Sequence, residues 1–565
     1  MTAGRGSGAN YNSECVTFPA LFRLLTVASA ISLGAWAQQT ATPAPASSSS
    51  ETASGGHLIL VLPFENRSPQ PNNVDWISES MPEVMNRRLE SAGFLPIGRD
   101  DRLYALDHLG LPPNFRPTRA STIRLAQNLD ADSVIIGAYS SDGKRLTITA
   151  RILDIPALKL SAPIEEQIDL PRLLDGINSL AWHLVRQIDP TYPVAEQTFV
   201  AADAKLPLSA FENYIRGLVE ELPTERTKHL KEAVRIDPAY YPAWLALGRL
   251  YFHQQEYELA QATLGKIPKT EPSALGAAFD RGLASFYTGN YVQAEESFAF
   301  VATQLPLSEV INNEAVAASR RNHDAAALFE QAINADPKDP DYHFNLALAL
   351  RRRNDIPGAM REVGECLKLR PQDAEAQALL AALGASASST AAKGNASLST
   401  GTLSPAPTGP LERIKRNYNE ASFRQAAYEI DQIQAMKLET LPPQVRAAAY
   451  TTAGTRYLNS GLLLEAERQF QDGLRADPAS AAAHAGLAEI RQRSGDADGA
   501  RAQATRSLEN SPNADAHVVL ARLAIQAGQL SSAAGEVTQA LKLDPKNSAA
   551  LGLRQALQSR GQQVQ

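Results

Sequence analysis

Nine histidines, two cysteines and two close carboxylate pairs are the residues of this 565-residue chain whose types could support catalysis or metal binding. The histidines never fall at the helical spacing that metal ligation needs, and H-E-x-x-H, C-x-x-C and G-x-S-x-G are all absent. Asp100-Asp101 and Asp130/Asp132 could do general acid–base work beside a partner base or nucleophile, but they flank expected strands and helices as caps and turns do. Gly137 to Lys144 has the glycines and lysine of a phosphate loop. It has one residue too many between the glycines, Arg145 where a magnesium-binding hydroxyl belongs, and a hairpin after it instead of a helix. Three consecutive arginines, Arg351 to Arg353, spread over about 200° of a helix, which makes a solvated face plus a groove contact rather than a phosphate site. The expectation is a chain that is not an enzyme, with no catalytic, cofactor-binding or metal-binding residues and no cofactor.

Composition agrees with a globular binding protein. Hydrophobic residues make up 44% and charged residues 20%, and the net charge of −7 gives no reason to expect a nucleic-acid partner. Arg23 is followed by the apolar run Leu24 to Trp36 and the small-residue site Ala35-Trp36-Ala37, a signal peptide over residues 1–37. The run is about 13 residues, short of the ~20 of a membrane-spanning helix, so no stable span is expected after cleavage. The expected location is exported and periplasmic, with secretion or signal anchoring to the inner membrane as alternatives. Cleavage also removes Cys15 and leaves Cys366 as the only thiol. Residues 38–56, rich in Ser, Thr, Ala and Pro, read as a disordered tether.

A folded unit begins at His57. His57 to Phe64 is an apolar run of strand length, as expected for a strand covered on both faces. Ser80-Met81-Pro82-Glu83 offers a cap and an early proline for a helix over Glu83 to Ala92, closed by Gly93. Phe94 to Gly98 and Ser133 to Tyr139 read as strands, Thr118 to Leu129 as a helix, and Leu146 to Ile152 as the second arm of a hairpin turned at Ser141 to Lys144. Leu170 to Ile188 closes the unit as an amphipathic helix. The motifs V-L-P-F-E-N-R-S-P (Val61 to Pro69), the helix before Gly93-Phe94, A-Q-N-L-D-A-D-S-V-I-I-G (Ala126 to Gly137) and L-T-I-T-A-R-I-L-D (Leu146 to Asp154) together resemble the small α/β module of the TolB N-terminal family, related to modules of LpoB, FlgO and CsgG. The resemblance spans residues 57–190 and implies protein contact in a cell-envelope assembly. Where that family often has D-x-x-T-G, this chain has Asp154-Ile155-Pro156-Ala157-Leu158.

Beyond the module, prolines at helix stops form a ruler. Pro238, Pro272, Pro306, Pro337 and Pro371 are separated by 34, 34, 31 and 34 residues, and Pro478, Pro512 and Pro545 by 34 and 33. Within Ala453 to Pro478, Gly454 and Tyr457 share a helical face, Gly461 breaks the chain, and Ala466, Phe470 and Gly473 line a second helix stopped at Asp477-Pro478. This order of small, aromatic, turn and proline residues resembles the tetratricopeptide repeat, a helical hairpin of 34 residues. The spacing of 31 requires a tight or irregular turn near Asn322-His323. Cys366 falls where a small core residue belongs.

The expected architecture is thus multi-domain: a small α/β domain with a mixed sheet, then an all-α solenoid in two arrays. The first covers residues 209–384 and the second 411–565, opened by a degenerate repeat over Leu411 to Met436 and ended by a capping helix at Ser548 to Gln558. The low-complexity stretch 385–410 between them reads as a linker. In the repeat family the first helix of each hairpin lines a concave groove. Carried onto this chain, the resemblance points to Arg249, His253, Arg351, Arg352, Thr455, Asn459, Glu489, Arg493, Arg522 and Gln526 as protein-binding positions. The expected function is a non-enzymatic scaffold for protein or peptide ligands in the envelope. An adaptor that delivers a peptide to a separate enzyme is the nearest alternative, and a hydrolase or transferase with an unrecognised site comes third.

Overall fold

The computed structural model describes residues 56–69, 74–112, 118–392, 411–417 and 420–564. The leader over 1–37 and almost all of the tether lie outside the described residues, as does most of the expected linker.

Seven strands form one mixed sheet: β1 (Leu58–Val61), β2 (Glu65–Asn66), β3 (Leu95–Pro96), β4 (Ser133–Ser141), β5 (Arg145–Asp154), β6 (Lys159–Leu160) and β7 (Ile164–Asp169). The order is β3-β1-β4-β5-β6, with β2 on β4 and β7 on β5. Pairing is parallel among β1 to β4 and antiparallel from β4 onward. Alternation in β1 explains its unbroken apolar run. Ile59 and Val61 face helices α1 (Ile77–Ser91) and α4 (Leu173–Ile188), while Leu60 and Leu62 face α2 (Arg99–His108) and α3 (Arg119–Asn128).

Strands β2, β6 and β7 have no counterpart in the sequence reading, and two further features of the module differ from expectation. Helix α1 starts at Ile77, ahead of Pro82, which lies inside it. A proline at that position leaves the Ser78 carbonyl without its helical donor. The Phe64 N–H supplies one at 3.2 Å, and the Ser78 hydroxyl donates to the Phe64 carbonyl at 2.7 Å. Helix α2 is the second difference, since the sequence reading has no helix there. Its first turn holds Asp100 and Asp101, where carboxylates complement the helix dipole. Asp132 Oδ2 accepts the Leu58 N–H at 2.7 Å, and Asp142 Oδ1 accepts those of Lys144 and Arg145 at 2.8 and 2.7 Å. The loop that superficially matches a phosphate cradle is therefore a hairpin turn with Gly143 at φ +91°.

The module's core runs without a break into the first repeats through Phe199, Phe211, Tyr214 and Leu247. Buried Arg88 donates to Asn178 Oδ1 at 2.7 Å and to Asp203 at 2.5 Å. Burial alone would push the Asp203 carboxyl up, but Arg88 and Arg87 outweigh it and hold the group well below the usual range.

The first array comprises the hairpins Leu208–Val219/Pro223–Ile236, Tyr241–His253/Tyr257–Leu264, Ala274–Tyr287/Tyr291–Gln304, Ser308–Arg320/Ala326–Ala335 and Pro340–Arg352/Ile356–Leu369, closed by Ala374–Ala392. That last helix runs past Gly384 into the stretch expected as linker. The second array begins with Glu420–Glu439 and ends with Ser548–Gln558. Between them stand the hairpins Pro443–Asn459/Leu463–Ala476, Ala481–Arg493/Ala497–Asn510 and Ala514–Gln526/Leu530–Leu543.

Small residues set the helix spacing: a Cβ at Gly454 would stand 2.8 Å from the Phe470 ring. The turns inside every hairpin but the first place one residue in the left-handed region, Gln255, Gly289, Asn322 and Asn354 in the first array and Gly461, Gly495 and Gly528 in the second. The short third spacing comes from the second helix of its hairpin, Ala326–Ala335, ten residues long against fourteen in Tyr291–Gln304. The proline stops are latched as well. Trp244, His343, Gln377 and His484 each contact the carbonyl of the proline six residues earlier, at 2.8–3.2 Å. Cys366 is fully buried between helices, and burial pushes its thiol up. Among the described residues no helix is long and apolar enough to cross a membrane.

The second array folds back onto the module. Leu464 joins the module's core, Ser91 donates to Glu465 at 2.6 Å, and fully buried Glu467 accepts from Thr198 at 2.5 Å and from Arg491 at 2.5 and 3.0 Å.

Candidate peptide-binding groove

Leu411 to Asn417, expected to open a degenerate repeat, is not helical. It lies extended along the concave face of the first array, and the helical part of that repeat begins at Glu420. Short, charged and without 3.6-residue periodicity, the segment has no apolar stripe to pack as a helix.

The helices Ser308–Arg320 and Pro340–Arg352 supply the groove floor. Asn312 and Asn345 are 33 residues apart, equivalent places in successive repeats, and Ser319 and Arg352 follow each by two helical turns. Asn345 Nδ2 donates to the Arg413 carbonyl at 2.8 Å, and its Oδ1 accepts the Arg413 N–H at 2.7 Å. Asn313 repeats the arrangement two residues on, donating to the Lys415 carbonyl at 2.7 Å and accepting the Lys415 N–H at 2.8 Å. Asn312 adds a bond to the Arg413 carbonyl at 3.1 Å and accepts from Asn345 at 2.8 Å. All three asparagines are fully buried. Binding the N–H and C=O of every second residue requires an extended strand, because only there do both groups of alternate residues face the same way.

Side chains alternate accordingly. Arg413 lies 3.7 Å from the Phe344 ring centroid and donates to Asp341 at 3.0 Å, to Asp373 at 2.6 and 2.8 Å and to Glu375 at 2.9 Å. Lys415 Nζ sits between Asp339 and Asp341 at 2.6 and 2.7 Å. On the other side, the buried Glu412 carboxylate meets Arg352, Arg320 at 3.3 Å and the Ser319 hydroxyl at 2.7 Å. Ile414 packs into the apolar clusters around Phe286 and Leu350. Hydrogen bonds from Arg413 outweigh burial and hold the Asp373 carboxyl down at about 2.

Of the groove positions inferred from the sequence, Arg352 touches this segment, while Arg351 is half-buried on the same helix. Arg249 bonds Asp280 at 2.8 Å and stands 3.9 Å from Asp100 of the module, and His253 is exposed next to Phe252. In the second array Glu489, Arg493 and Arg522 come together: Glu489 Oε1 accepts from Arg493 at 2.5 Å and from Arg522 at 3.2 Å. Thr455 and Asn459 line an open depression with Thr270 of the first array, and Gln526 is exposed. Sequence reasoning misses the three asparagines and Asp341 and Asp373. A signal for two of them exists: Asn312 and Asn345 stand 33 apart within the otherwise largely apolar stretches V-I-N-N-E-A-V and H-F-N-L-A-L.

Two family models described as tetratricopeptide repeat match the chain, one over residues 227–279 and 316–383 and the other over 451–515. No curated protein matches it. Similar solved structures include the LpoB C-terminal domain from Salmonella enterica, 18% identical, covering 21% of this chain and 86% of that one with a TM-score of 0.18. The LpoB C-terminal domain from Escherichia coli gives the same figures. MamA 41-end from Desulfovibrio magneticus RS-1 is 20% identical, covering 31% of this chain and 98% of that one with a TM-score of 0.27.

Proposed function

Starting from a chain that carries tetratricopeptide repeats, we propose that it is a non-enzymatic protein-interaction scaffold that assembles or regulates a bacterial cell-envelope complex. The observation that carries this reading is the first array's grip on an extended polypeptide by its main chain, through Asn313 and Asn345. Main-chain recognition supplies affinity for any extended segment, and the charged pockets on either side supply selectivity. The envelope assignment is supported by the apolar leader-like run Leu24 to Trp36 and by the module's sequence resemblance to the TolB N-terminal family.

Cross-linking in whole cells followed by fractionation tests both parts. The expected result is a protein partner captured in the envelope fraction, with capture reduced by Asn313→Ala/Asn345→Ala. Recovery of the chain in the cytoplasmic fraction, or without any protein partner, would contradict the reading.

A further inference from the structure

We infer that the first array's groove is a binding site for a partner's extended segment of acidic–basic–apolar–basic pattern, and that Glu412 to Lys415 is a tethered competitor occupying it. The inference rests on the scaffold reading and names the ligand class of its groove.

Three observations lead to it. First, the contacts are those of a ligand rather than of a chain connection. Two asparagines each pair with the N–H and C=O of one residue, and the side chains on both faces of the strand enter pockets of matching charge. Second, the pockets are selective. Without the segment, Asp339, Asp341, Asp373 and Glu375 form an acidic wall on which Arg370 is the cation paired with Asp341 and Asp373. The opposite wall keeps Arg320 and Arg352 without the carboxylate they share. A groove so divided rejects uniformly acidic or uniformly basic segments and accepts alternating ones. Third, the occupant belongs to the same chain as the walls, with Arg413 only 38 residues from Glu375. A linked ligand acts at an effective concentration on the order of millimolar, so a free segment of equal quality competes at a large disadvantage. The first array is therefore closed to weak partners and open to those that bind more tightly or displace the segment.

The test is a fluorescence-anisotropy titration of the full chain with a labelled peptide Leu-Glu-Arg-Ile-Lys-Arg-Asn, the sequence of Leu411 to Asn417. The wild-type chain should bind it weakly. A chain carrying Glu412→Arg, Arg413→Glu and Lys415→Glu should bind it on the order of 100-fold more tightly. Adding Asn313→Ala and Asn345→Ala to that variant should abolish the gain, and a peptide of scrambled order should not bind. Circular dichroism and thermal melting check that the variants fold. Should the charge-reversed chain not fold, replacement of 411–416 by a Gly-Ser stretch of equal length carries the same prediction. A folded chain with its own segment disabled that binds the peptide no better than wild type would overturn the inference. Because the titration uses purified components, it fails independently of the cross-linking: loss of peptide binding with partner capture intact removes this groove but leaves the scaffold.

Discussion

Asn345 pairs with both main-chain groups of Arg413, donating to its carbonyl at 2.8 Å and accepting its N–H at 2.7 Å. A primary amide offers a donor and an acceptor side by side, matching the C=O and N–H of one extended residue, so one side chain satisfies two main-chain groups that would otherwise need strand partners. Asn313 does the same at Lys415, and the two together fix the segment's register by main-chain geometry.

Asn345→Ala should loosen the segment by about 1–3 kcal/mol, the cost of unpairing hydrogen-bonding groups. Tryptic cleavage after Arg413, Lys415 and Arg416, followed by mass spectrometry, should accelerate roughly tenfold or more. An unchanged cleavage rate would show that the asparagine does not hold the strand.

Asp373 gives the docked segment a defined pH response. Its carboxyl titrates at about 2 beside Arg413 and Arg370, with the Ala376 N–H also facing it, against ~3.9 for a free aspartate. A depressed pKa contributes stability that is complete above about pH 4 and is lost as pH falls through about 2. The melting-temperature gap between wild type and Asp373→Asn should hold constant from pH 7 to about 4 and then close. A gap that widens toward acid would contradict the assignment.

Glu467 ties the second array to the segment that follows the module, through the Ala195 N–H and the Thr198 hydroxyl. Removing it in Glu467→Ala leaves the mostly buried Arg491 with Asp496 at 3.9 Å in place of its close carboxylate, a loss on the order of 3–5 kcal/mol. Small-angle scattering should report a larger radius of gyration, or urea unfolding should split into two transitions. A variant with the wild-type radius and a single unshifted transition would show that apolar contacts such as Leu464 suffice.

Leu158 occupies a left-handed position, φ +50°, in the turn where the TolB N-terminal pattern often has glycine. Its side chain is about half exposed, so little burial is lost on removing it. Leu158→Gly should stabilise the chain by about 0.5–1 kcal/mol in urea unfolding, the relief of backbone strain less the added freedom of the unfolded glycine. Destabilisation would mean that the turn is not strained.

The repeats were legible because their packing is periodic: Gly454, Ala466 and Phe470 recur in phase with the proline stops, and each contact lies within one hairpin or its neighbour. The groove occupant was not, because Arg413 meets Asn345 across 68 residues and Lys415 meets Asn313 across 102, and no local pattern encodes such pairings. The start of the helix at Ile77 was hidden for a related reason. Pro82 reads locally as a first-turn residue, and only the distant Phe64 N–H makes its interior place tolerable.

The central claim, that the first array holds an extended segment by its main chain, is tested most directly by hydrogen exchange at the Arg413 and Lys415 amides in the full chain. Exchange slowed well below the rate of the free peptide, and restored toward it by Asn313→Ala/Asn345→Ala, is the predicted result. Exchange as fast as in the free peptide would contradict it.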